Sequence, residues 1–175
     1  MALEKTRDGD VRIRISGLSN GVHEYHFSVE PATLGLDGNF HTPVEIDAQL
    51  DKTTRQMYLR TTIRTSGRFQ CDRCLDEFDQ NLSTGYAMFY VYDESDASKY
   101  PDDEVTVLNA DQVYVDAGED VRQMVLLAVP LKLLCREECK GLCPHCGSNW
   151  NTAVCDCARE SLDPRWQGLQ GLLDN

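Results

Sequence analysis

VEIDAQLDKTTRQMYLRTTIRTSGRFQCDRC, residues 44–74, is the stretch from which the fold is read. Val44, Ile46, Ala48 and Leu50 alternate with polar residues, and Met57, Leu59, Thr61 and Ile63 repeat the pattern. A period of two sends successive side chains to opposite faces of a strand, so one face is apolar and the other wetted. Arg60 and Arg64 fall on the wetted face. The stretch ends in Cys71-Asp72-Arg73-Cys74, two thiols separated by two residues. That spacing lets both sulfurs point inward from one tight turn.

Outward from this segment the strand signal continues in both directions. Val11, Ile13 and Ile15 alternate with Arg12 and Arg14, and Tyr25, Phe27 and Val29 with Glu24, His26 and Ser28. Asn20-Gly21 between the two runs predicts a hairpin. Residues 31–41, with Gly35, Asp37 and Gly38, read as a loop. Downstream, Leu82–Tyr92 is apolar or aromatic on both faces, as in a central strand. Residues 93–104 are acidic around Pro101 and predict a mobile loop, followed by short strand signals at Val105 and Val107 and at Val113 and Val115.

Asp116-x-x-Glu119 has the form of a capping box, and Val121, Met124, Val125 and Ala128 make one stripe. They predict a buried helix over 117–129, closed by Pro130. Asp163-Pro164 predicts a second short helix with Trp166, Leu169 and Leu173 on its apolar side. The expected fold is α+β: a mostly antiparallel β-sheet or barrel-like body with one buried helix over residues 1–134. A C-terminal cysteine-rich zinc-knuckle appendage over residues 135–175 completes it.

The chain has 175 residues, 41% of them hydrophobic, enough for one ordinary core. No apolar run approaches the roughly 18 residues of a membrane span, and MALEKTRDGD has no apolar signal core. A cytoplasmic location is expected, where thiols stay reduced and metal–thiolate bonds outcompete disulfides. The net charge of −12 disfavours indiscriminate attraction to nucleic acid. It is unevenly spread. Lys52, Arg55, Arg60, Arg64, Arg68 and Arg73 stand against Asp72 alone, a net +5, whereas Val91–Asp120 sets ten acids against Lys99, a net −9. Arg60, Arg64, Arg68 and Arg73 are therefore the candidate partner- or RNA-binding residues, because a guanidinium fork grips phosphate bidentately.

Eight cysteines fall into short-spaced pairs: Cys71 and Cys74, Cys135 and Cys139, Cys143 and Cys146, Cys155 and Cys157. Eight thiols supply two complete four-sulfur sets, and the spacings suit two structural Zn²⁺ ions. Two divisions are open. In one, Cys143, Cys146, Cys155 and Cys157 form a local knuckle, and Cys71 and Cys74 join Cys135 and Cys139. In the other, Cys135, Cys139, Cys143 and Cys146 group together, leaving Cys71 and Cys74 for Cys155 and Cys157. Loop-closure entropy favours the first. Four thiolates leave no coordination position for catalysis, and His23, His26, His41 and His145 read as structural or exposed residues. No nucleophile elbow, zinc-protease helix or P-loop is present, so no catalytic residues are assigned.

CDRCL at 71–75, Val129-Pro130-Leu131, CREECKGLCPHCGSNWN at 135–151, Cys155-x-Cys157 and Asp163-Pro164-Arg165 occur in that order. Together they resemble the YceD family, large ribosomal RNA subunit accumulation proteins of bacteria and chloroplasts. Trp150 stands where a leucine is usual in that family. The resemblance implies a non-enzymatic ribosome-biogenesis factor that supports synthesis or accumulation of large-subunit ribosomal RNA. Its partner is then ribosomal RNA or a basic ribosomal or biogenesis protein, with no membrane and no small-molecule substrate. Some relatives lack the distal knuckle, which implies a stabilising role for it. The competing class is a zinc-ribbon module in transcription, or a thiol switch that ejects zinc on oxidation. A nucleic-acid-reading ribbon carries basic residues, whereas residues 135–157 set Arg136 and Lys140 against Glu137, Glu138 and Asp156.

Overall fold

A computed structural model describes residues 11–36 and 38–157. The elements are β1 (Arg12–Arg14), β2 (Gly21–Val29), β3 (Val44–Lys52), β4 (Gln56–Gln70), β5 (Glu77–Thr84) and β6 (Ala87–Val91), then α1 (Glu94–Ala97), β7 (Val105–Val107), β8 (Tyr114–Asp116) and α2 (Gly118–Leu127). A single 3₁₀ turn, Pro31–Leu34, lies between β2 and β3.

The central strand is β4, fifteen residues long, with inward positions from Met57 to Phe69 buried in alternation. β3 pairs antiparallel along one edge of β4, and β2 extends the sheet beyond β3. The other edge is shared end to end. β6 takes Gln56–Arg60 and β5 takes Ile63–Gln70. β7 adds in parallel to β6. The six strands form an open sheet, not a barrel, and the segment before β3 meets the far part of β4 through the Phe40–Gly67 bridge and bonds to Asn39 and Thr42.

The inner face of this sheet and the apolar sides of β1, β8 and α2 make one core. Ile13, Ile15, Ile46, Leu50, Met57, Leu59, Ile63, Val121 and Val125 lie fully within it. Each such side chain contributes roughly 1.5–3 kcal/mol relative to leaving it in water.

Four local expectations differ from the structure. The hairpin between residues 11–15 and 25–29 does not form: β1 pairs with β8, in register Ile13 to Val115, while β2 pairs with β3. Alternation identifies the face a strand buries but is blind to its neighbour. The apolar run 82–92 is two strands, broken at Gly85-Tyr86. There Thr61 donates its backbone N–H to Tyr86 O at 2.9 Å, and its hydroxyl donates to the same oxygen and accepts from Tyr86 N. The acidic stretch holds α1, capped by the Asp93 carboxylate accepting from Ser95 N. Finally, α2 buries one side only, and Leu127 is 77% exposed.

The expected capping box does not form, because the residue that caps α2 is Ala117, which has no side-chain bond to offer. Asp116 Oδ1 accepts from Gly118 N at 3.0 Å, but the Glu119 carboxylate turns to Arg122 and Gln123. The helix expected at Asp163-Pro164 lies outside the described residues.

Gly85 sits where β5 gives way to β6. A Cβ there would fall 2.2 Å from the Thr61 carbonyl oxygen, which is backbone and cannot yield without disturbing β4. Gly85→Ala is expected to destabilise the fold by about 2 kcal/mol or more, read as a lower urea midpoint at unchanged m-value.

Candidate functional site

Two turns of the same design organise the cysteines. Cys71–Cys74 closes the end of the β4–β5 hairpin. Cys71 N donates to Asp76 O at 2.9 Å, and Leu75 N to Cys71 O at 2.9 Å. In the second turn Cys143 N donates to Ser148 O at 2.8 Å, and Gly147 N to Cys143 O at 2.9 Å. The residue after each second cysteine adopts left-handed backbone, φ 59° at Leu75 and 73° at Gly147.

The eight sulfurs gather into two groups, Cys71 with Cys74, Cys135 and Cys139, and Cys143 with Cys146, Cys155 and Cys157. Within each group the sulfurs lie within 4.8 Å of one another. All eight cysteines are free. The Cys71–Cys139 and Cys74–Cys135 separations are 3.8 and 3.6 Å. A disulfide needs about 2.05 Å, whereas four sulfurs at about 2.3 Å from one tetrahedral ion stand roughly 3.8 Å apart. The donor set and its spacing therefore fit a tetrahedral thiophilic cation.

Electrostatics point the same way. Burial opposes ionisation of Cys71, yet backbone N–H donors from Cys135, Cys74 and Arg73 hold its thiol down to about 6. Cys74 has the Asp76 amide favouring its thiolate, but burial and the Cys71, Cys139 and Cys135 sulfurs push it well above the ordinary range. In the second group the Ser148 hydroxyl and amide hold Cys146 down to about 6, while the Cys146 sulfur and burial push Cys157 up to about 12. Clustered thiolates repel one another, and four ionised together require a cation among them.

Backbone bonds lock the tail onto the first turn. Asp72 N donates to Leu133 O at 2.8 Å, and Leu133 N returns a bond to Asp72 Oδ2 at 2.7 Å. Leu142 N donates to Arg73 O at 3.1 Å. The Arg73 guanidinium donates to Cys139 O at 2.8 Å, so this arginine is spent on the tail's backbone and does not join the sheet's basic row. Around the sulfurs, Asn151 Nδ2 donates to Cys139 Sγ and Trp150 Nε1 to Cys155 Sγ, each at 3.3 Å. Asn149 Nδ2 reaches Asp76 Oδ2 at 2.7 Å. The Asn149-Trp150-Asn151 run thus touches both groups and the β4–β5 turn. Sequence reasoning missed these supporting roles, although both asparagines stand in the quoted motif.

Arg60, Arg64 and Arg68 do share the outer face of β4, but flanking strands neutralise two of them. Arg64 bonds Asp47 of β3 at 2.9 Å and Arg68 bonds Asp79 of β5 at 3.0 Å. His26 of β2 bridges Asp47 and Glu45. Arg60 lies 5.6 Å from the Tyr58 ring centre and has no ion pair among the described residues. The groove beside it, about 390 Å³, is also lined by Glu24, His26, Asp47, Gln49 and Thr62, so carboxylates face the guanidinium.

These features define a β-sheet protein with two tetracysteine sites able to hold metal, whose thiol turns, not its sheet, carry the most distinctive sequence. The chain belongs to the YceD family, described as large ribosomal RNA subunit accumulation protein YceD, whose model matches residues 59–173. It is similar to large ribosomal RNA subunit accumulation protein YCED homolog 1, chloroplastic, of Arabidopsis thaliana, at 22% identity over 75% of this chain and 49% of that protein. The chain thus spans about half that relative's length. It is also 23% identical to the uncharacterized protein Rv2926c of Mycobacterium tuberculosis, over 91% of this chain and 78% of the other. The uncharacterized protein YlbN of Bacillus subtilis is 24% identical over 75% of each. No solved structure gave a significant match. Among the described residues, no helix is long and apolar enough to cross a membrane.

Serine replacement separates the two centres. Cys71→Ser with Cys74→Ser is expected to remove one metal ion per chain by elemental analysis and to lower unfolding free energy by on the order of 4 kcal/mol, because a sixty-residue loop is released. Cys143→Ser with Cys146→Ser is expected to remove one metal ion while leaving the β-sheet circular-dichroism signal intact.

Proposed function

We propose that this chain is a non-enzymatic factor that supports the accumulation of large-subunit ribosomal RNA, with two structural zinc ions holding its tail to its sheet. The family match over residues 59–173, which takes in every cysteine, carries this reading. The four-sulfur geometry supports it, since zinc in such a set has no vacant position at which to activate water or polarise a substrate. Cys71, Cys74, Cys135 and Cys139 are the ligands of one ion, and Cys143, Cys146, Cys155 and Cys157 of the other. The body comprises residues 1–134 and the zinc-bearing tail 135–175. A reducing cytoplasmic setting suits eight unpaired thiols.

The partner is a basic protein of the ribosomal or biogenesis set in preference to RNA itself. The net charge of −12 and the acid-flanked arginines disfavour phosphate and favour a cationic surface. That partner meets the acidic stretch of residues 91–120, and the RNA it carries meets the arginine row, where Arg60 is the member available for contact, with Arg64 beside it and Arg68 more firmly committed to Asp79.

A second reading has one observation behind it. Cys146 and Cys157 are exposed, so the distal centre is open to oxidants. Peroxide would take two electrons from this thiolate pair, forming a disulfide and water and expelling Zn²⁺. Zinc release under mild peroxide without any change in ribosomal RNA would rule out a switch.

The main reading is tested in cells whose only copy carries Arg60→Glu and Arg64→Glu. Mature large-subunit RNA is expected to fall several-fold relative to the small-subunit RNA, while the purified variant keeps its zinc and its melting temperature. Normal RNA levels would remove the sheet face from the mechanism. Normal levels after deletion of the whole chain would remove the function.

A further inference from the structure

The two cysteine turns differ at one position in a way their shared geometry does not require. Leu75 and Gly147 follow the second cysteine, donate the same bond back to the first cysteine's carbonyl, and adopt the same left-handed backbone. Glycine takes that conformation freely, whereas a Cβ-bearing residue is strained in it. Leu75 is the one non-glycine residue with positive φ among those described.

Its side chain gains nothing visible from the fold in return. It is 53% exposed, and it belongs to neither apolar cluster, although Phe78, Leu134 and Leu142 pack around the sulfurs close by. The backbone of Leu75 is fully engaged, its carbonyl accepting from Gln70 Nε2 at 3.1 Å, so the turn would be equally well bonded with glycine. Strain held at an exposed apolar residue points outward, to a contact made beyond the chain.

The surroundings indicate the chemistry of that contact. Asp76 and Glu77 follow directly, both exposed and neither in an ion pair among the described residues. Asp76 holds Asn149, and Trp150, the next residue, is 37% exposed. An apolar anchor beside two exposed carboxylates complements a segment that presents an aliphatic or aromatic side chain between lysines or arginines.

We propose that Leu75 is the anchor of a docking surface, with Asp76 and Glu77 beside it, for a basic protein segment. This deepens the partner class proposed above and rests on it. The rigid turn that the first tetracysteine group provides holds the leucine in place, so little ordering remains to be done on binding.

The test uses the zinc-loaded full chain with Leu75→Gly and Leu75→Asn, two residues that tolerate left-handed backbone. The melting temperature is expected to stay within about 2 °C of the native chain. In cells, large-subunit RNA is expected to fall several-fold with either variant. A benzophenone amino acid in place of Leu75 is expected to cross-link to a basic large-subunit protein, and Asp76→Lys with Glu77→Lys to abolish that adduct.

A larger drop in melting temperature would overturn the proposal, because it would mean that the Leu75 side chain serves the fold of the chain itself. An adduct to RNA, or none, would also overturn it. Normal RNA levels in the Leu75 variants beside low levels in the Arg60 and Arg64 double variant would sink this surface alone and leave the ribosomal role standing.

Discussion

The convergence of Cys71 and Cys74 with Cys135 and Cys139 is the contact on which the arrangement of this protein turns. The paired sulfurs are separated by 61 and 68 residues, and between them lie β5 to β8 and all of α2. Without that meeting, the turn at the end of β4 would be a polar hairpin tip and the tail would have only a few backbone bonds to hold it. The bonds that do form, from Asp72 to Leu133 and from Arg73 to Leu142 and Cys139, all radiate from the same four-residue turn. The four sulfurs, the hairpin and the tail are therefore one mechanical unit. The distal group is attached to it through Asn149, Trp150 and Asn151.

What could be read from the sequence was whatever depends on spacing. Alternation along residues 44–50 and 57–63 corresponds to β3 and β4, and the paired cysteines announced thiol turns before any geometry was known. What could not be read was whatever depends on a distant neighbour. β1 alternates as a hairpin arm should, yet its partner is the strand leading into α2. Leu82–Tyr92 is continuously apolar, but Gly85 splits it because one long strand offers its edge to two short ones in succession. Glu119 sits at capping-box distance and still prefers Arg122 and Gln123. The short spacing of the acids and bases in residues 116–123 allowed either outcome.

The arginines teach the same lesson about charge. In the linear chain, residues 52–73 are a basic block, and a net +5 invites an anionic ligand. In the sheet, that block is a single row between two acidic ones. β3 brings Glu45 and Asp47 alongside, and β5 brings Glu77 and Asp79. The field a ligand meets is set by cross-strand register, so a charge count taken along the chain overstates the attraction for phosphate. It also explains why Arg73, the fourth member, behaves unlike the rest: it lies beyond the end of the strand, where carbonyl oxygens of the tail are its acceptors.

The pairing of β1 with β8 has a consequence for vectorial synthesis. Arg12 and Asp116 are 104 residues apart, so β1, on emerging from a translating ribosome, has no partner until β8 has followed it. At about 5–20 residues per second the wait is on the order of ten seconds. Through that interval Val11, Ile13 and Ile15 form an apolar edge with nothing to cover it, while β2 to β4 can already assemble. The nascent chain is thus open to misassociation at β1, and β8 with α2 acts as the clasp that ends the exposure.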